Sequence, residues 1–176
     1  MRIAYADPPY VGQSRKLYGG AEVNHRLLIA HLCDEFPDGW ALSCSSPSLR
    51  ELLPLCPADV RVGAWVKPFA SFKAGVNPGY AWEPVVFHGG RQPRARDEAT
   101  VRDWCSVSIT LERGVPGAKP MAFCFWIFQM LGLQPDDELC DLFPGSGAIA
   151  DAWDRYGRQA SLDWSAATSG TLAGLF

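Results

Sequence analysis

Glu138-Leu139-Cys140-Asp141-Leu142-Phe143-Pro144-Gly145-Ser146-Gly147 is the stretch that decides the fold of this 176-residue chain. An apolar step is followed by a glycine-rich turn, and the next six residues, Ala148-Ile149-Ala150-Asp151-Ala152-Trp153, have the pattern of a helix. A strand, a tight glycine turn and a helix in this order build the ligand-binding βα unit of open α/β sheets. Glycine lets the backbone approach a ligand closely because it has no Cβ. The segment therefore predicts an α/β fold with a ligand at the turn.

A later acidic residue fits the same unit. The helix is expected to end near Tyr156-Gly157, since glycine commonly follows a helix C-terminus. A further strand is expected at 159–162, and Asp163 comes directly after it. An acid in this place could accept a hydrogen bond from a ribose hydroxyl.

A second motif, Asp7-Pro8-Pro9-Tyr10, follows the apolar strand candidate Ile3-Ala4-Tyr5-Ala6. Ligands of open α/β sheets bind outside the carboxyl ends of the strands, where this motif would lie. The Asp7 carboxylate can accept a hydrogen bond from an NH2 group, and the Pro8 carbonyl can accept another. Tyr10 offers a ring on which a flat group can stack. The alternative is a plain turn, because Asp and Pro are ordinary turn formers.

Together the two motifs resemble those of S-adenosylmethionine-dependent DNA amino-methyltransferases of the N6-adenine/N4-cytosine type, which carry an Asp-Pro-Pro-Tyr motif. The resemblance implies that the catalytic residues are Asp7, Pro8, Pro9 and Tyr10. It implies S-adenosylmethionine as cofactor. The residues expected to hold the cofactor are Lys119, Asp141, Phe143, Pro144, Gly145, Ser146, Gly147 and Asp163.

The order of the motifs is similar to that of the permuted, β-type group of these enzymes, because the catalytic motif comes first. Members of that group carry a Lys-Pro pair opening a helix before the cofactor motif, and Lys119-Pro120 stands in that place here. The usual His-Pro-Thr-Gln before the pair is replaced by Gly-Val-Pro-Gly-Ala. Lys119 is therefore the one residue carried over from this segment.

The rest of the chain predicts alternating strands and helices, which implies a mostly parallel twisted sheet with helices on both faces. Such a sheet matches the Rossmann-like class I methyltransferase fold that the resemblance implies. The expected strands are 3–6, 40–44, 60–66, 84–88, 138–142 and 159–162, and the expected helices are 24–35, 49–55, 121–132 and 148–156. We expect a single methyltransferase domain over 1–164, an inserted recognition region at 67–117, and a flexible tail at 165–176.

Composition favours a folded cytoplasmic enzyme. The hydrophobic fraction is 48% and the formal net charge is −3, so the chain has a core and no global basic field. Six cysteines show no Cys-x-x-Cys spacing and are expected to be reduced and buried. Three scattered histidines predict no metal site. The apolar run at 121–131 is too short to cross a bilayer, so no membrane partner is expected.

Two loop regions are expected to contact nucleic acid, most simply DNA. One follows the catalytic motif and the other separates the two motifs, where the resemblance places target recognition. Basic residues near aromatics suit phosphate contact and base stacking, although a charged run can also be a solvated surface. The expected contact residues are Arg15, Lys16, Lys73, Arg91, Arg94 and Arg96. A homodimer would double this basic surface.

The expected reaction is direct methyl transfer to the N6 amino group of adenine. Asp at position 7 favours adenine, because cytosine-N4 enzymes more often carry Ser there. Ring-carbon methylation is disfavoured, because no cysteine follows a proline in a catalytic-loop pattern. The alternatives left open are cytosine N4, the same chemistry on RNA, methylation of a protein amide, and a cofactor-binding partner subunit that has lost catalysis.

Overall fold

A computed structural model of the chain describes residues 1–12, 22–68, 74–91, 100–109 and 118–158. Six strands lie within these ranges: β1 (Arg2–Ala6), β2 (Gly39–Ser43), β3 (Arg61–Val66), β4 (Trp82–Gly89), β5 (Trp104–Ser106) and β6 (Glu138–Asp141). The helices are α1 (His25–Glu35), the single turn α2 (Leu49–Leu52), α3 (Met121–Leu131) and α4 (148–158). Short 3-10 turns at Ser46–Ser48 and Leu53–Leu55 flank α2.

The described strands form one sheet in the order β5-β3-β4-β2-β1-β6. β1 lies between β2 and β6 and is parallel to both. β4 is antiparallel to its neighbours β2 and β3, and β5 is parallel to β3. All strands except β4 therefore run in one direction, and their carboxyl ends share one edge of the sheet, which we call the carboxyl edge. The start of the antiparallel β4 lies at the same edge.

Side chains of β1 alternate between two buried layers, as the period of a strand requires. Ile3 and Tyr5 belong to one apolar core, whereas Ala4 and Ala6 belong to the other. All four are at most 1% exposed, so both faces of this central strand are covered. Burial on both faces is typical of parallel sheets with helices on each side.

The helices divide between these two layers. On the face of Ile3 and Tyr5 lie α3 and α4, which contribute among others Phe123, Phe128 and Ile149 to the core. The opposite face is covered by α1, whose first turn is capped by the Asn24 side chain accepting from the Leu27 N–H at 3.1 Å. Helix α3 ends at Gly132, whose φ of 67° is the left-handed conformation that commonly closes a helix.

The structure confirms the expected fold class, a mostly parallel sheet with helices on both faces. The expected strands and helices up to residue 156 are present, with boundaries shifted by two residues or fewer, except that the helix expected at 49–55 is α-helical only over Leu49–Leu52 and continues as a 3-10 turn. Two features were not predicted: β4 is antiparallel, and the three-residue strand β5 extends the sheet. The region 67–117 thus supplies two strands, β4 and β5, to the sheet. The strand expected at 159–162, Asp163 and the tail lie outside the described residues.

Within the described ranges, no helix is long and apolar enough to cross a membrane.

Candidate active site

The two sequence motifs meet at the carboxyl edge because β1 and β6 are neighbours. Tyr5 of β1 is paired in register with Asp141 of β6, and the Leu142 N–H donates to the Tyr5 carbonyl at 2.9 Å. Asp7 leaves β1 two residues after this pair, and the glycine turn leaves β6 at the same level. The structure therefore brings the predicted catalytic and cofactor motifs together.

Lys119 connects the Asp-Pro-Pro-Tyr motif to helix α3. It immediately precedes Pro120, the N-cap of that helix, and its Nζ lies 3.1 Å from Asp7 Oδ1. The same Nζ donates to Glu83 Oε2 at 3.3 Å. The Lys119 side chain is only 8% exposed, so the two carboxylates replace water molecules as partners of its ammonium group.

Glu83 reaches the site because β4 is antiparallel. It is the second residue of that strand, paired with Trp65 near the end of β3, and so lies at the carboxyl edge. Its Oε1 is ion-paired with Lys67 Nζ. The Lys67 N–H donates to the Ala81 carbonyl at 2.8 Å, which ties the end of β3 to the start of β4.

Aromatic rings form the floor beneath the two ammonium groups. Lys67 Nζ lies 4.5 Å from the Trp65 ring centroid, and Lys119 Nζ lies 5.3 Å from Trp65 and 5.6 Å from Phe123. All three distances suit cation–π attraction. Trp65 is oriented by its Nε1–H, which donates to the Val107 carbonyl at 2.7 Å. Next to this floor, the Tyr5 hydroxyl and Ser43 Oγ share a buried hydrogen bond of 2.8 Å.

The charges of the site perturb one another. Burial raises the pKa of Asp7, and the ammonium of Lys119 opposes that rise. Burial acts to raise the pKa of Glu83 and to lower that of Lys119, but their opposite charges outweigh it. The pKa of Glu83 is consequently lowered and that of Lys119 is raised. Burial, assisted by the carboxylates of Glu83 and Asp7, raises the pKa of the Tyr10 hydroxyl, so this group stays protonated.

The glycine turn after β6 leaves room above its backbone. Gly145 and Gly147 have φ values of 46° and 78°, which disfavour any residue with a Cβ. Among the described residues, a Cβ at Gly147 would meet no atom within 4 Å, and one at Gly145 would meet only the Phe143 carbonyl oxygen at 3.7 Å. Asp141 Oδ1 accepts from the Phe143 N–H at 3.1 Å. Burial raises the pKa of Asp141, although this hydrogen bond opposes the rise.

The expected nucleic-acid residues are placed differently. Arg91 follows the carboxyl end of β4 and so lies at the edge of the sheet opposite Asp7. Its Nη2 donates to both carboxylate oxygens of Asp137, at 2.9 and 3.0 Å, and its Nε donates to the Gly132 carbonyl at 3.2 Å. Asp137 is 2% exposed, so this ion pair has a structural role. The others, Arg15, Lys16, Lys73, Arg94 and Arg96, are outside the described residues, as is Asp163.

Glu83 and Lys67 are site residues that the sequence motifs did not reveal. Neither belongs to a recognisable motif. Glu83 comes to Lys119 because β4 is antiparallel to β2, and Lys67 comes to Glu83 through the pairing of β3 with β4. Lys119 was expected near a cofactor, and the structure shows it paired with Asp7 of the Asp-Pro-Pro-Tyr motif. In the described part of the chain, no group of three metal-ligating side chains is gathered.

Comparisons with known proteins reveal a structural likeness. No protein-family model matches the chain, and no curated protein matches it. Among solved structures, a crystal structure of the M1.HpyAVI-SAM complex has a TM-score of 0.60 and 16% sequence identity, covering 88% of this chain and 78% of that one. A crystal structure of M1.HpyAVI without SAM in its description has a TM-score of 0.57 and 16% identity, covering 88% and 76%. The chain therefore shares the fold of M1.HpyAVI.

Proposed function

We propose that this chain is a methyltransferase that uses S-adenosylmethionine to methylate the N6 amino group of adenine in DNA. The observation that carries the proposal is the register of β1 and β6. It sets the Asp-Pro-Pro-Tyr motif beside the glycine turn, as transfer between a cofactor and an amine requires. Proximity of this kind is a large part of catalysis.

The residues present fit the cofactor. The open space above Gly145 and Gly147 leaves the backbone accessible to a ligand that side chains would block. Asp141 stands at the end of β6 with one carboxylate oxygen held by the Phe143 N–H. We assign the amino-acid end of S-adenosylmethionine to Asp141 and the turn, and a ribose hydroxyl to Asp163. M1.HpyAVI, which shares this fold, was crystallised with SAM, which supports S-adenosylmethionine as the cofactor.

When bound, S-adenosylmethionine supplies a methyl group on a sulfonium, which is a good leaving group. The exocyclic amine of adenine is a weak nucleophile because its lone pair is delocalised into the ring. Asp7 and the Pro8 carbonyl would accept hydrogen bonds from the two N–H groups of this amine and so localise the lone pair on the nitrogen. Burial raises the pKa of Asp7, which makes its carboxylate a better acceptor for the proton that the amine must lose after methylation.

Tyr10 would stack on the target base, which must leave the duplex to reach a site at the sheet edge. Its hydroxyl lies near Glu83, whose negative charge raises the pKa of Tyr10. The ring therefore remains neutral while it contacts the base. The choice of adenine rests on the Asp at position 7, and the choice of DNA rests on the motif resemblance.

Calorimetric titration with S-adenosylmethionine and its demethylated product tests the cofactor, and labelled methyl incorporation into DNA, RNA and protein pools tests the substrate class. We expect binding of both small molecules and label in DNA. Label confined to RNA or protein would move the reaction to that polymer. Absence of cofactor binding would contradict the proposal that this chain is a methyltransferase.

A further inference from the structure

Four charged side chains of alternating sign are arranged in a row behind the catalytic motif. Asp7 is followed in space by Lys119, then by Glu83, then by Lys67, and we call this row the ion-pair chain. Its members come from four separate places: the end of β1, the start of α3, the start of β4 and the end of β3. Such a convergence needs the whole sheet to be assembled.

The ion-pair chain is largely shielded from water. Side-chain exposure is 25% at Asp7, 8% at Lys119 and 19% at Glu83. The Trp65 and Phe123 rings lie against the Lys119 ammonium and keep solvent from that side. Charges in such surroundings interact more strongly than charges on a wet surface.

We propose that Lys119 and Glu83 are positioning residues for Asp7: Lys119 holds the Asp7 carboxylate ionised and in place, and Glu83, itself held by Lys67, fixes the Lys119 ammonium. The proposal rests on the methyl transfer proposed above and assigns Lys119 to the catalytic carboxylate as well as to the cofactor side. Neither Lys119 nor Glu83 needs to touch the target base for this role.

The geometry explains why two carboxylates are present. A single lysine facing Asp7 would hold that carboxylate ionised but would also make it a weak proton acceptor. Glu83 shares the Lys119 charge through its 3.3 Å contact, so Asp7 keeps part of its basicity. Lys67 in turn balances Glu83, which leaves the row of four without net charge.

Other ionisable groups also surround Asp7 and enter its titration. Glu83 acts on it from β4, and Lys119 and Lys67 act from the start of α3 and the end of β3. Within the described ranges, Asp7 also interacts with groups from β1, from the Asp-Pro-Pro-Tyr motif, from the residue after β2 and from β6, namely Tyr5, Tyr10, Cys44 and Asp141. Of these neighbours only Lys119 and Lys67 are cations that favour the ionised form of Asp7.

The ion-pair chain predicts opposite responses to two substitutions. Lys119→Met removes the nearest cation, so the pKa of Asp7 should rise, by about 1–3 units for a partner at this distance. Glu83→Gln removes a negative charge that now raises the pKa of Asp7, so that pKa should fall. A lysine and a glutamate that did not interact with Asp7 would leave its pKa unchanged.

The test is a carbon-13 NMR titration of the aspartate carboxyl groups in the full chain, with the Asp7 signal assigned from its loss in Asp7→Asn. Arg61→Gln and Glu138→Gln are matched controls, since both side chains are well exposed at the start of parallel strands, far from the carboxyl edge. They should leave the Asp7 titration unchanged. Lys119→Arg should restore most of the wild-type value by returning the cation.

An Asp7 pKa that stays constant in Lys119→Met, or that moves in the same direction in both variants, would overturn the proposal. If Lys119→Met fails to fold, the pKa shift in Glu83→Gln and the smaller rise expected in Lys67→Met decide the matter. The titration needs no methyl transfer. A correct order of pKa values in a protein that methylates nothing would therefore support the ion-pair chain and contradict the proposed function.

Discussion

Tyr5 and Asp141 face each other across the parallel strands β1 and β6. This pairing connects residues from opposite ends of the sequence and determines that both strands end at the same level. The Asp-Pro-Pro-Tyr motif and the glycine turn are consequently neighbours, although more than a hundred residues separate them along the chain. The order in which the motifs occur in the sequence does not matter for a site built in this way.

Gly147→Ala should weaken S-adenosylmethionine binding by at least tenfold. The new Cβ enters the open space that we assign to the cofactor, and the φ of 78° strains an alanine by about 1–2 kcal/mol. Gly75→Ala is the matched control, because Gly75 has a φ of 77° and meets equally open space among the described residues. Calorimetry and thermal melts should show equal loss of stability in the two variants and loss of affinity in Gly147→Ala alone. Equal affinities would remove the glycine turn from the cofactor site.

Asp7→Asn should lower kcat for methyl transfer by about 10²–10⁴, because an amide cannot take the proton of the amine. S-Adenosylmethionine binding should be nearly unchanged, since Asp7 is assigned to the amine alone. Steady-state kinetics and calorimetry on the same preparation separate the two effects. A comparable loss of cofactor affinity would show that Asp7 is structural.

Arg94 and Arg96 should contribute to binding of nucleic acid. If each meets a phosphate, replacing both with Ala lowers the salt slope of binding by about 2. Arg91→Ala should behave differently, because Arg91 is engaged by the buried Asp137. It should cost about 1–3 kcal/mol of unfolding free energy and leave the salt slope unchanged. Fluorescence anisotropy at several salt concentrations, with urea unfolding, measures both. An unchanged slope in the double variant would identify a solvated loop.

Asp137 should make the free energy of unfolding depend on pH in the acid range. Burial acts to raise its pKa, but hydrogen bonds, including those from the Gln134 N–H and Arg91, lower it below the ordinary 3.8. Its contribution is therefore present above pH 3.8 and lost as pH falls through the lower pKa of the folded state. Asp137→Asn should be less stable at pH 7 and lose less stability on acidification. Urea unfolding between about pH 2 and 7 checks this, and parallel curves for the two proteins would contradict it.

The sequence allowed us to predict those parts of the candidate site that depend on parallel strands. Asp7 and Gly145 each follow a short apolar strand, and the carboxyl ends of such strands share an edge, so their meeting could be expected. Glu83 could not be predicted, because its place depends on the direction of β4. The alternation of strands and helices in the sequence suggested parallel pairing, whereas Glu83 lies at the carboxyl edge only because β4 is antiparallel to its neighbours.

Arg91 illustrates a second limit of sequence reasoning. It lies in the most basic run of the chain, which favours phosphate contact, yet its partner Asp137 is distant in sequence. The two come close only when the segment after β4 meets the C-terminus of α3, where the Arg91 N–H donates to the Leu131 carbonyl at 2.9 Å. Strand β5 was missed because its three residues are too few to show alternation. Local sequence patterns therefore identified the motifs, whereas the positions of Glu83 and Lys67 beside them depend on how β3 and β4 pair in the sheet.

Methyl transfer to adenine is tested most directly by mass spectrometry of nucleosides from DNA incubated with the chain and S-adenosylmethionine that carries a deuterated methyl group. We expect N6-methyladenine with the deuterated methyl, formed by the wild type and reduced to background in Asp7→Asn. Label on cytosine carbon 5, or no label in DNA at a protein concentration that binds the cofactor, would contradict it.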